Sequence, residues 1–203
     1  MADAGLLFHL FLSSPTVNLD SVTEVIRRDV GLSIEVLRLA SCRSAESDQF
    51  GISQSVVHAG VSRLRLLSGQ IGLLSAHTRY KPSLRECEQF WVHARLTALM
   101  AEEQAYKVDC DPEEAYVAGL LLRIGELPAL LGWDWDFIGA RPSEIAGVLA
   151  RTWSLPARLA EILGGDDLQL PSRSRRLLQL VRVADQQAFR IQGLVSEYAR
   201  CAF

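Results

Sequence analysis

Histidine, cysteine and carboxylate side chains are where hydrolytic or metal chemistry would have to come from, and here they are sparse. The four histidines, His9, His58, His77 and His93, include no pair at the three- or four-residue spacing that sets two imidazoles on one helix face. The four cysteines, Cys42, Cys87, Cys110 and Cys201, form no Cys-x-x-Cys pair, which reads as buried or incidental thiols in a reducing compartment. Paired acids occur at Glu113-Glu114 and Asp166-Asp167. The first pair stands at a helix start, where carboxylates meet the positive end of the macrodipole. The second follows Gly164-Gly165 and reads as a solvated loop or cap, so neither pair calls for an acid/base role. The phosphate-loop, dinucleotide-fold, His-Glu-x-x-His and Gly-x-Ser-x-Gly patterns are all missing. A metal centre needs three or more converging ligands, each oriented by a hydrogen bond with a neighbouring group. No local motif supplies them.

The elements that would position any site are helices, since apolar residues recur at spacings of three and four and strand-like alternation is scarce. Val22, Val25 and Ile26 share one face of a first stretch over about Asp20–Arg28, and Leu32, Val36, Leu39 and Ala40 share one over Asp29–Cys42. A polar loop over Arg43–Gln49 follows, then a helix that Ser53 can cap, and another through Leu64, Leu67 and Leu74 that Gly72 threatens to interrupt. Ser83-Leu84-Arg85-Glu86 is a capping box opening a helix whose Phe90, Ala94, Ala98 and Ala101 align. Asp111-Pro112-Glu113-Glu114 combines an acceptor cap, a proline at the first helical position and two carboxylates. Trp133–Ile138 reads as a connector, Pro142 and Pro156 each start a helix, and a long one runs from Ser172 or Ser174 to about Ile191, followed by a short terminal helix from Leu194 to Cys201. The expected fold is all-α, an irregular bundle of about ten helices.

Four segments in order carry a family signature. Phe90-Trp91-Val92-His93 opens an apolar helix; Glu114 to Gly125 contains Gly119-Leu120-Leu121-Leu122-Arg123-Ile124-Gly125; Trp153-Ser154-Leu155-Pro156 follows; and Val183-Ala184-Asp185 comes late. This order resembles the HD-domain metal phosphohydrolases and, more closely, their degenerate signalling branch, the HDOD (HD-related output) domains. In the resembled pattern the central segment reads Gly-Leu-Leu-His-Asp-Ile-Gly, and its His-Asp pair ligates metal. Leu122 and Arg123 stand at those two positions. Leucine offers no lone pair, and an arginine cation repels a divalent ion. Aligning Pro156 with the pattern's proline also brings Asp166-Asp167 to the place of a His-His pair. Only His93 and Asp185 match the family's ligand set.

The first half supports the same resemblance. Arg28-Asp29-Val30-Gly31-Leu32 and Val36-Leu37-Arg38-Leu39-Ala40-Ser41 are similar to the family's Asp-Pro-x-Leu and Leu-Arg-x-x-Asn-Ser segments, with Val30 for proline and Ser41 for asparagine. Ile52-Ser53-Gln54-Ser55-Val56 and Gly60 to Leu64 are similar to two further pieces. The resemblance spans about Asp20 to Asp185. It implies an N-terminal helical subdomain over 1–80 and an HD-like helical subdomain over 81–203, packed as one unit.

The totals set the outer limits. The chain has 203 residues, 49% hydrophobic and 22% charged, which is globular composition with room for a sizeable core. A net charge of −3 argues against a general nucleic-acid binder, and the densest basic cluster, Arg173, Arg175 and Arg176 with Arg182 beyond, reads as the solvated first turns of a helix. Leu6 to Leu12 is apolar but interrupted by His9, too short to span a bilayer and without a basic flank, so a cytoplasmic protein is expected. The resemblance then implies a non-catalytic bacterial regulatory module, not an enzyme and without a cofactor or bound metal. Its partners would be other signalling proteins or fused signalling domains. Two alternatives stand beside it. One is a sensor of nucleotides or cyclic dinucleotides, using a vestigial pocket of His93, Arg123 and Asp185, in which the guanidinium would take a phosphate. The other is a metal-dependent phosphohydrolase with atypical ligands. The plain reading of the same residues is a hydrogen-bonded His93–Asp185 pair, with Arg123 facing solvent or paired to an acid such as Glu126.

Overall fold

A computed structural model describes residues 4–41, 50–74, 84–130, 139–165 and 169–201. Helix α1 (Ala4–Ser13) is followed by α2 (Leu19–Arg27), α3 (Val30–Ser41), α4 (Ile52–Ala59) and α5 (Val61–Leu74). The second half holds α6 (Leu84–Ala105), α7 (Pro112–Leu121), a 3-10 turn (Ile124–Glu126), α8 (Leu127–Leu130), α9 (Pro142–Thr152), α10 (Ala157–Gly164) and α11 (Ser172–Cys201). The fold is all-α, as the periodicity predicts. The polar loop Arg43–Gln49, Ser83 of the capping box, the connector Trp133–Ile138 and the Asp166-Asp167 pair lie outside the described residues.

Local chemistry sets several helix starts. Asn18 caps α2 by accepting from the amides of Asp20 (2.9 Å) and Ser21 (3.2 Å), and Asp111 caps α7 by accepting from Glu114 N with Pro112 next to it. Ser53 is an exception. Gly51 occupies the cap of α4, and the Ser53 hydroxyl instead donates to Glu113 Oε1 at 3.0 Å, a tertiary partner that outcompetes the local cap. Two expected interruptions are also corrected: α5 runs through Gly72, and α11 continues past Gly193 as one helix of 30 residues, about 45 Å long. An interior glycine costs only about 1 kcal/mol, less than the rest of a long helix returns.

Helix α7 is the centre of the second half, and every residue from Glu114 to Leu121 is buried. A helix apolar around its circumference has no solvent face and must be wrapped. Helices α6, α10 and α11 supply the wrapping, while α9 pairs with α10 and packs on the 3-10 turn. Ala94, Ala98, Ala101 and Ala105 form a buried stripe along α6, a face of small side chains that permits close approach. Gly119 exploits it: a Cβ there would sit 2.9 Å from the Ala98 Cα. A Cβ on Gly125 would collide with the Pro142 carbonyl at the start of α9. Both glycines of the Gly119–Gly125 segment are therefore demanded by packing.

The first half stacks α1 against α5 and α2, and α4 against α2, α3 and α5. Ser33 Oγ donates to the Ile26 carbonyl at 2.9 Å, and Arg65 Nε to the Leu12 carbonyl at 2.8 Å. Buried side chains of both halves, from Phe8, Ile26 and Phe50 to Leu121, Leu159 and Ala184, belong to one continuous cluster.

Candidate functional site

His93 projects from α6, Arg123 follows the C-terminus of α7, and Asp185 and Gln192 lie on α11, where a spacing of seven puts them on one face. The structure brings His93, Arg123 and Asp185 together. His93 is 5% exposed, and its Nε2–H donates to Asp185 Oδ1 at 2.7 Å. Its Nδ1 lies 2.9 Å from the side-chain amide of Gln192, and the Phe189 ring meets it edge-on with centroids 5.9 Å apart. Arg123 Nε donates to Glu126 Oε1 at 2.7 Å, and Arg123 Nη1 lies 3.4 Å from His93 Nε2. Leu122 caps α7 and packs, half-buried, against the core.

That donor set does not fit a divalent metal. Both imidazole nitrogens already have partners, and the ring nitrogen facing Asp185 has a guanidinium beside it. An ion between His93 and Asp185 would have to displace the Nε2 proton and share its space with a cation. Among the described residues no three His, Cys, Asp or Glu side chains gather as a ligand group. The arrangement can hold α6 and α11 in register. A charge-assisted hydrogen bond in such a setting contributes about 1.5–3 kcal/mol.

Two further polar clusters could not be assembled from the sequence. Glu114, 2% exposed, receives Arg158 Nη1 at 2.5 Å and Arg173 Nη2 at 3.4 Å, while Arg158 Nε donates to Ser174 Oγ at 3.1 Å. Glu114 thus joins α7 to α10 and α11, beyond compensating a helix dipole. The basic cluster of α11 is correspondingly engaged: Arg175 donates to the Leu170 carbonyl, Arg176 to Asp109 and Arg182 to the Gly165 carbonyl. Arg173 and Arg176 nonetheless remain exposed in the first turns of α11, as the solvated-face reading expects. Beside them, burial pushes the Cys110 thiol up from its ordinary value, with Arg176 opposing, which keeps it protonated and poorly nucleophilic.

The second cluster joins the two halves. Arg27 Nη2 donates to Glu102 (2.6 and 2.7 Å), its Nη1 to Glu113 (2.7 Å), and its guanidinium lies 3.8 Å from the Tyr116 ring centroid. Burial works against the Arg27 charge, but the bonds and fields of Glu102 and Glu113 outweigh it and raise the pKa. The one sequence signal was the Glu113-Glu114 pair, whose members turn out to serve different clusters.

A family model described as the HDOD domain matches residues 7–133, a span that includes His93, Leu122 and Arg123 but ends before Asp185. No curated protein matches the chain. Two crystal structures of the MmoQ response regulator from Methylococcus capsulatus str. Bath superpose with a TM-score of 0.73 over 100% of this chain, at 17% and 15% identity, covering 92% and 90% of those chains. An HDOD domain protein with unknown function from Geobacter sulfurreducens aligns at 22% identity and a TM-score of 0.42, over 92% of this chain and 71% of that one. At these identities the MmoQ likeness establishes the shared helical fold and nothing finer.

Proposed function

The chain belongs to the HDOD domain family, and on that premise we propose that it is a non-catalytic, cytoplasmic signal-transduction module that acts by binding other signalling proteins. The observation carrying this reading is the closed state of the His93 ring. Its two nitrogens are occupied by Asp185 and Gln192, and Arg123 lies where a metal would need open space. A scaffold so arranged retains the framework of an HD-type site while its side chains serve packing. That MmoQ, which shares this fold, is a response regulator supports a regulatory setting for it. The sensor alternative is not favoured, because Glu126 already neutralises Arg123.

The test is metal content with hydrolysis. Protein purified without chelator is expected to carry substoichiometric Mn, Fe and Zn, and to leave nucleotides, cyclic dinucleotides and a generic phosphodiester intact. Stoichiometric metal together with phosphodiester cleavage that disappears in His93→Ala would overturn the proposal.

A further inference from the structure

A cleft of about 600 Å³ opens where α2, α6 and α7 meet, and none of His93, Arg123 and Asp185 lines it. Its walls carry three arginines, Arg27, Arg28 and Arg95, and four carboxylates, Asp20, Glu24, Glu102 and Glu113. Most of this charge is spoken for. Arg27 is held by Glu102 and Glu113, and the exposed Arg28 approaches Glu24 at 3.9 Å.

Arg95 stands apart. It is half-buried, its Nε is shielded from solvent, and among the described residues that Nε meets no acceptor and the guanidinium no carboxylate. A guanidinium presents five donors in a planar fork matched to an oxyanion, and in Arg95 a donor shielded from water, Nε, is left unpaired at a cost. The field of Arg95 also reaches Tyr116 on the facing helix, where it opposes the effect of burial on the phenol. A cation held in a cleft where Glu102 and Glu113 are committed to Arg27 is a receptor for an external anion.

We propose that this cleft binds a small organic anion whose carboxylate or phosphate group sits on Arg95. The remaining charge on the walls narrows the class. With four carboxylates against three arginines, a polyanion is disfavoured. The fitting ligand carries one oxyanion and, beside it, a hydrogen-bond donor or an ammonium group that Asp20, paired with no arginine among the described residues, can accept. A cleft of this volume is within the range of small-molecule sites. The proposal does not depend on whether the chain is catalytic, because it uses none of the HD-site positions.

The test is an NMR titration of the full chain with 15N-labelled arginine, following the Arg95 Nε–H signal, assigned by its loss in Arg95→Lys. Sodium acetate and inorganic phosphate probe the oxyanion alone, and glycine adds an ammonium group. A saturable shift of the Arg95 signal with acetate or phosphate is expected, with glycine binding more tightly than acetate; the stronger of acetate and phosphate assigns the anionic group. Backbone amide shifts should show affinity reduced about tenfold or more in Arg95→Lys, which keeps the charge and loses the fork. No saturable shift in the wild type, shifts equal across all arginines, undiminished binding in Arg95→Lys, or glycine binding no better than acetate would overturn the proposal as stated.

Discussion

Arg27 and Tyr116 grip one another twice: the guanidinium lies 3.8 Å from the ring centroid, and the Tyr116 hydroxyl donates to the Arg27 carbonyl at 2.5 Å. One pair therefore fixes both the side chain and the C-terminal backbone of α2 against the buried helix α7. Arg27→Met removes the cation and leaves Glu102 and Glu113 facing each other. A loss of about 2 kcal/mol is expected from urea unfolding, between values typical of exposed and of fully buried ion pairs. A loss indistinguishable from zero would mean that the Arg27 ion pairs contribute nothing to holding the halves together.

Tyr116 should also give the fold an alkaline limit. Burial raises its pKa above the ordinary 10.0, with the cations of Arg27 and Arg95 opposing. A folded-state pKa raised above the unfolded one contributes stability that is complete below the unfolded value. That contribution is lost as pH rises through the folded value. Urea midpoints should therefore fall above about pH 10. In Tyr116→Phe that alkaline decline should be shallower, although the variant starts from lower stability through the lost hydroxyl bond.

At the His93 site the contrast between two substitutions separates packing from chemistry. Asp185→Asn keeps an acceptor for the imidazole and loses only the charge assistance, at a cost of about 1 kcal/mol. Asp185→Ala strands a buried donor and should cost about 1–3 kcal/mol. Chemical denaturation of both variants measures the difference. Equal losses would show that the carboxylate, not the hydrogen bond, is what the fold requires.

Two glycine substitutions of identical chemistry should have opposite signs. In Gly119→Ala the new methyl meets backbone atoms of Thr97 and Ala98 at 2.9–3.1 Å, so α6 and α7 must separate, at a cost of about 1–3 kcal/mol. In Gly69→Ala the methyl meets nothing within 4 Å on α5, and helix propensity should stabilise by about 0.5–1 kcal/mol. Thermal unfolding of the two variants is the check.

What the sequence made legible follows the range of the interactions involved. Asp111-Pro112 could be read as a helix start because cap and proline act on amides a few residues away. The meeting of His93 with Asp185 was legible through the family pattern, although the two are 92 positions apart. Gln192 was not legible: its amide matters only because an unbroken α11 carries it seven residues beyond Asp185 on the same face. Ser53 misled for the same reason in reverse, since its hydroxyl serves Glu113, 60 positions away, instead of its own helix. The pairing of Arg158 with Glu114 gave no signal, because a buried ion pair across helices leaves no periodic trace in either segment.

The continuity of α11 has a mechanical consequence. Near its N-terminal end it holds Arg173 against Glu114, and further along it holds Asp185 against His93. A helix without a joint cannot absorb a displacement locally, so a push or twist at one end reaches the other contacts as rigid-body motion. The His93–Asp185 bond, a single short contact part-way along that rod, is accordingly a strain gauge for whatever acts on either end of it.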